Sequence, residues 1–369
     1  MKEFKAAVLH SPGAPLAIET VRLGALAPND VLVRVDATSV CHTDLEVALG
    51  SRPAPVPSVL GHEGAGTIAA TGAAVKNLAE GESVALHWNP HCGTCYYCEQ
   101  GDRILCEQYT GNASKGFGFD GQPKLFLGER PLSQLMYLGT FAEYCVVDAQ
   151  CAVPMPDGMP ANRSCLLGCG VMTGYGAVAH VHPVRAGSSV AVIGCGALGL
   201  TAVQTARSCG AHTVIAIDLN DAKLGVAEQL GATHTCNPQR DDPVATVQSL
   251  TAGRGADFVI EAAGHVDVFA TAVAAARPGG HVVWLGKVSP GTPVSFPWAE
   301  LAKGRHIVRS SYGGARPHGD FPTLANAYLR GELALDSMVT ATISLEEIND
   351  ALGALERGEA IRTVIQMTA

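Results

Sequence analysis

Hydrophobic positions change their rhythm twice along the chain. From Lys5 to about Val147 they come in short alternating runs, such as VLVRV at 31–35, broken repeatedly by Gly and Pro. Alternation with a period of two predicts a β-rich region with few helices. From about Gly170 to Tyr312 the runs become continuous and are separated by helix-length stretches: SVAVIG at 189–194, HTVIAID at 212–218, DFVIEAAG at 257–264, HVVWLG at 281–286 and HIVRSSY at 306–312. Strands alternating with helices predict an α/β region, a parallel sheet covered on both faces. Beyond Gly313 the pattern predicts helices near Phe321–Leu329 and Leu345–Arg357, then a strand in IRTVIQM at 361–367, a tail able to return and complete the first region.

A chain of 369 residues exceeds the size at which one core stops growing, so two domains are expected, with a cleft as the default binding site. Apolar residues at 47% and charged ones at 16% support large cores and argue against long disordered stretches. The net charge of -9, without any Lys or Arg run, offers no source of counterion release, so nucleic acid and anionic membranes are not expected partners. The start MKEFKAAVLHSPGAP lacks the apolar core of a secretion signal, and no apolar run is long enough to span a bilayer, so a soluble cytoplasmic protein is expected. Twelve cysteines in such a chain suggest metal binding rather than disulfides.

Gly194, Gly196 and Gly199 form GCGALG directly after a strand and at the start of a helical stretch, and Asp218 closes the next strand. Glycines at these positions permit a tight turn, approach of a pyrophosphate to the backbone, and close packing of helix on strand. Asp218 would bind the adenosine ribose hydroxyls and repel a 2'-phosphate, so the cofactor expected is NAD rather than NADP.

Cys92, Cys95, Cys98 and Cys106 lie within HCGTCYYCEQGDRILC. Four thiolates so spaced can enclose one tetrahedral zinc without an open position, a structural site; an iron–sulfur cluster is the alternative, though nothing else in the chain asks for one-electron chemistry. Cys41 in VCHTD, His62 in LGHEGAG and Cys169 in LGCGVMTGYG are three further candidate ligands far apart in sequence. Two thiolates and one imidazole with a fourth position left open make a catalytic zinc set, if they meet.

The motifs CHTD, GHEGAG, the four-cysteine stretch, GCGVMTGYG and GCGALG follow one another in the order and at nearly the spacing of the zinc-dependent medium-chain alcohol dehydrogenases. The chain resembles that family over essentially its whole length, and the stretch from Glu107 to Thr140 resembles the longer loop of its class I and III branch. The resemblance implies a GroES-like catalytic domain at 1–170 and 313–369 and a Rossmann NAD-binding domain at 171–312. It also implies two zinc ions per subunit, the catalytic one on Cys41, His62 and Cys169 and the structural one on the four clustered cysteines. Asp44 would orient His62, Glu63 would stand behind the metal, and Thr43 would take the alcohol proton while hydride passes to the nicotinamide. His42 and Arg362 would contact the pyrophosphate, Thr173 the nicotinamide region and Lys223 the adenosine ribose. Trp88 would line the substrate channel. A homodimer is implied, with a homotetramer as the alternative and the strand HIVRSSY as a candidate interface.

The chain departs from the family's pattern in two places. A histidine that often ends the proton relay is replaced by Glu46, which is expected to do the same work. The basic side chain that holds the glutathione carboxylate in the formaldehyde branch is absent from Glu107, Gln108, Tyr109 and Thr110, and its acidic partner upstream of GHEGAG is missing too, since SRPAPVPSV carries only Arg52 as a charge. Primary alcohols, aromatic or allylic ones included, are therefore the expected substrates. A thiol-adduct dehydrogenase of the formaldehyde type is the alternative, and a non-catalytic NAD- and zinc-binding redox sensor is a third reading that Thr43 argues against.

Overall fold

The computed structural model describes residues 3–113, 115–289 and 291–367. The chain divides into two compact units, Met1–Cys169 together with Arg316–Ala369, and Gly170–Ala315.

The first unit is built from strands. Five short ones, Glu3–Leu9, Ala17–Leu23, Leu125–Leu127, Arg130–Gln134 and Ser58–Val59, close into a small barrel. A second, seven-stranded sheet is organised around Asp30–Val40, which pairs antiparallel with Glu63–Thr71 on one side. On the other side lies Arg362–Gln366, with Thr363 opposite Val40 and Ile365 opposite Thr38. The last strand thus completes a sheet begun more than three hundred residues earlier, as the tail's strand-like pattern allowed. Inward residues of the alternating runs, such as Val8, Leu60, Leu125, Phe141 and Ile365, share one core. The helix His42–Leu49 is anchored there by Leu45 and Val47, and Gly50 ends it in the left-handed conformation that glycine adopts without strain.

The second unit contains a six-stranded, wholly parallel sheet in the order His234–Cys236, Thr213–Ile217, Ser189–Ile193, Ala256–Glu261, Ala276–Trp284 and His306–Arg309. Numbered along the chain this is 3-2-1-4-5-6, the doubly wound order of dinucleotide-binding folds. Val190, Ala191, Val192 and Ile193 are all buried, as expected of a strand covered on both faces. The intervening helices start where side chains can cap them: Asn220 accepts from Ala222 and Lys223, and Asp242 from Val244 and Ala245. The strand His234–Cys236 goes beyond the sequence expectation, because three residues reading HTC carry no hydrophobic run.

Among the described residues no single helix is long and apolar enough to cross a membrane.

Candidate functional site

Cys41 stands at the N-terminal boundary of the helix His42–Leu49 in an extended conformation, which turns its sulfur into the interior. Its backbone N–H donates to Oδ2 of Asp44 at 3.0 Å. The other oxygen of Asp44 accepts from the Gly61 N–H at 2.9 Å and pairs with Nδ1 of His62 at 3.1 Å. One buried carboxylate therefore fixes both CHTD and GHEG and assigns the His62 proton to Nδ1. Gly61 makes the turn possible: its φ is +90°, and a Cβ there would lie 2.6 Å from the side chains of Phe141 and Thr140. Cys169 enters after the short helical turn Cys165–Gly168 and is partly exposed.

These elements bring together residues that are far apart in sequence. Ligand atoms of Cys41, His62, Glu63 and Cys169 all lie within 4.8 Å of one another. Nε2 of His62 is buried and has no hydrogen-bond partner among the described residues. A buried imidazole lone pair between two sulfurs is costly unless a cation occupies that point, so the donor set fits a zinc ion. The electrostatics agree. Cys41 is held well below the ordinary thiol range, first by its contact with Cys169 and, against burial, by the charges of Arg362 and His62. Burial works against a charged His62, but the charges of Asp44 and Cys41 overcome it and hold the ring up to about 10: the site favours positive charge at Nε2, which a proton supplies without metal and a bound zinc ion would supply in its place. A divalent cation at this point would favour the forms that ligate, thiolate sulfur and an unprotonated Nε2.

Glu63 is wholly buried, and burial pushes its carboxyl up to about 7 against the opposing charge of Arg362. Ser39 Oγ donates to it at 2.5 Å, and Arg362 Nη2 at 3.2 Å. Arg362 also lies 3.9 Å from the Cys41 sulfur. The guanidinium expected to meet a phosphate is thus turned toward Glu63 and the thiolate. Thr43 is buried in the first turn of the same helix, Glu46 is half-buried one turn on, and His42 is exposed.

Trp88 is buried, with its ring 6.4 Å from that of Tyr109. Tyr109 packs on Tyr137 at 5.1 Å, and Phe119 meets Tyr137 edge-on at 5.8 Å. Tyr137 donates to the carbonyl of Tyr109. Sequence reasoning found Trp88 but not the other rings, which come from three separate stretches with no common period.

Ligand atoms of Cys92, Cys95, Cys98 and Cys106 likewise lie within 4.8 Å of one another. The Cys92 and Cys98 sulfurs are 4.0 Å apart, near the ~3.8 Å edge of a tetrahedron with 2.3 Å zinc–sulfur bonds. All four thiols are free of disulfides, so the set fits a closed zinc site.

In the second unit the strand Ser189–Ile193 delivers the chain into the glycine turn. Gly194 has φ +97°, and a Cβ on Gly199 would stand 1.8 Å from the Gly194 carbonyl, so neither position admits a side chain. Gly196 faces open space, a gap beside the N-terminus of helix Ala197–Ser208 where a pyrophosphate can approach. Asp218 accepts from the Cys195 N–H at 2.6 Å and the Asn220 N–H at 2.8 Å, at the end of the neighbouring strand. Lys223 is half-buried in the helix that follows, and Thr173 is buried in helix Gly170–Gly176.

Comparison with known proteins agrees with both halves of this description. Residues 27–157 match the alcohol dehydrogenase GroES-like domain family, and residues 197–330 match the zinc-binding dehydrogenase family. S-(hydroxymethyl)glutathione dehydrogenase of Escherichia coli is 37% identical over 365 residues, covering 98% of this chain and 99% of its own. An alcohol dehydrogenase zinc-binding domain protein from Burkholderia ambifaria superposes with a TM-score of 0.95 at 36% identity, each chain fully covered. Benzyl alcohol dehydrogenase from Acinetobacter calcoaceticus gives 0.94 at 32% identity, again over the whole of both chains. With the fold, two clusters of zinc-ligating type and a dinucleotide-type glycine turn in one polypeptide, the chain belongs to the zinc-dependent medium-chain alcohol dehydrogenase family.

Proposed function

We propose that the protein interconverts primary alcohols and their aldehydes with NAD, and that aromatic or allylic alcohols are its preferred substrates. The observation that carries the reading is the convergence of Cys41, His62 and Cys169 on one point, with the Nε2 lone pair of His62 aimed into it. Bound there, zinc supplies a Lewis acid that makes an alcohol oxygen more acidic, and NAD supplies the hydride acceptor. Thr43 receives the hydroxyl proton and passes it toward solvent, with Glu46 at the exit. Asp44 keeps His62 in the tautomer that presents Nε2. Arg362 compensates Glu63, so that this carboxylate can stay close to the ligands without displacing them.

Gly194, Gly196 and Gly199 cradle the pyrophosphate, with His42 adding a basic contact. Thr173 stands by the nicotinamide and Lys223 by the ribose, where Asp218 would repel a 2'-phosphate and so favour NAD over NADP. The ring group of Trp88, Tyr109, Tyr137 and Phe119 favours a flat, apolar substrate. The protein works in the cytoplasm as a homodimer, paired through the edge strand His306–Arg309.

The 37% identical relative favours a second reading, oxidation of a thiol adduct of formaldehyde. A panel of primary, secondary and aromatic alcohols with NAD and NADP, alongside formaldehyde with and without glutathione, separates the two by kcat/KM. Benzylic alcohols leading the panel with NAD support the first reading, and strict dependence of activity on glutathione overturns it.

A further inference from the structure

The parallel sheet of the second unit has two ends. The glycine turn lies at the C-terminal end of strand Ser189–Ile193, and the strand's other end is about 13 Å away. At that far end the structure opens a pocket of about 410 Å³, lined among others by His182, Arg185, Asp257, Phe258, Arg277 and His281. None of these residues has a part in the reaction proposed above.

Strand register explains why rings gather there. Phe258 is the register partner of His281, and His281 of His306 on the edge strand, so the three side chains project from one face in a row. Their rings stack at 5.3 and 4.9 Å, and His182 covers His281 at 4.4 Å. Three imidazoles invite a metal reading, but among the described residues only two groups bring ligand atoms close enough to share an ion, and neither includes these rings.

The charges point to an anion instead. The carboxylate of Asp257 is already engaged by Arg277 Nε at 2.7 Å and by Ser189 N and Oγ, both at 2.8 Å. Arg185 is exposed and has no ion-pair partner among the described residues. Nδ1 of His281 is buried without a hydrogen-bond partner among them. We propose that this pocket is a phosphate site, in which a phosphate dianion, free or borne on a small organic group, sits against Arg185, Arg277 and the imidazoles of His182 and His281. Its volume leaves room for a flat substituent beside the phosphate, over the row of rings.

The protonation of the rings makes the site distinctive. Burial, and then the charge of His306, hold His182 below the ordinary imidazole range. His281 is lowered by burial and then by His182, His306, Arg277 and Arg185, and among the described residues the one carboxylate lining the pocket, Asp257, is spent on Arg277. A dianion reverses this balance, so it binds together with protons taken from solvent.

The test is calorimetric titration of the zinc-loaded protein at pH 7.5 with inorganic phosphate and with phenyl phosphate, in buffers of differing ionisation heat, with and without saturating NAD. The expected result is saturable binding of one anion per chain, unaffected by NAD, with heats that depend on the buffer as proton uptake requires. Arg185→Gln, an exposed change that leaves packing alone, should weaken binding at least tenfold, and His281→Gln should reduce the proton uptake. Tighter binding of phenyl phosphate identifies a phosphomonoester as the ligand, and tighter binding of inorganic phosphate the free ion. Absence of saturable binding, competition by NAD, or unchanged affinity in Arg185→Gln overturns the proposal.

Discussion

The carboxylate of Asp44 accepts from three nitrogens, those of Cys41, Gly61 and His62. An amide in its place would turn an NH2 group toward a backbone N–H or toward the Nδ1 proton, leaving a buried donor facing a donor. Asp44→Asn should therefore weaken zinc at the Cys41 site by 10- to 100-fold, as changes behind metal-ligating histidines do. Metal analysis should find zinc falling from two toward one per chain, and retention of both ions in the variant would contradict the role given to this residue. His87 makes a different use of burial. Its Nε2 is 2.6 Å from the Gln150 carbonyl and its Nδ1 lies 3.3 Å from the Asn89 N–H, an arrangement that only the neutral ring satisfies. Burial, reinforced by His318, lowers it from 6.5 to about 3. Between those values the unfolded chain binds a proton that the folded chain refuses, so the contribution of His87 is complete above pH 6.5 and is lost as pH falls toward 3. From pH 7 to pH 5 this amounts to about 2 kcal/mol. Urea unfolding of His87→Gln should decline less steeply over that interval than the parent protein, and parallel declines would remove His87 as the cause.

At the scale of elements, the glycine turn makes a prediction that separates two roles within one motif. Alanine at Gly199 meets the Gly194 carbonyl, whereas alanine at Gly196 meets nothing within 4 Å. Gly199→Ala should lower the melting temperature or abolish soluble expression. Gly196→Ala should melt with the parent protein yet bind NAD at least tenfold more weakly, because its methyl occupies the space of the pyrophosphate. Equal affinity in Gly196→Ala for the reduced cofactor NADH, followed by its dihydronicotinamide fluorescence, would count against that cradle. The same turn shows what was legible in advance. GCGALG, the four-cysteine stretch and the buried strands could be read from sequence because backbone approach, thiolate spacing and two-sided burial each leave a local pattern. The edge strand His234–Cys236 could not, since its one neighbour, Thr213–Ile217, imposes its pairing. Nor could the group of Tyr109, Tyr137 and Phe119, or the row of Phe258, His281 and His306, both of which exist only through tertiary register. The meeting of Cys41, His62 and Cys169 was legible only by resemblance, because no local pattern links residues so far apart.

Across the whole molecule, the two thiol-containing clusters should answer differently to a chelator. The four-cysteine set can fill all four positions around one ion with thiolates and offers no open position, whereas the Cys41 set leaves a position that substrate must reach. Dialysis against dipicolinate should therefore remove one zinc per chain first, with activity lost while far-UV circular dichroism and melting stay near their starting values. Simultaneous loss of both ions and of structure would show that the two sites are not independent.

The strand Arg362–Gln366 carries a consequence for biosynthesis. It lies beside Asp30–Val40, and its first residue supplies the cation for Glu63, yet the entire second unit is translated between them. The parallel-sheet unit can condense on the ribosome as soon as its own strands have emerged. The larger sheet must wait with an open edge, and a buried carboxylate without its counterion, until residues 362–366 have followed the second unit off the ribosome. Premature termination just short of Arg362 would thus leave an intact nucleotide-binding half attached to a metal-binding half that never closes.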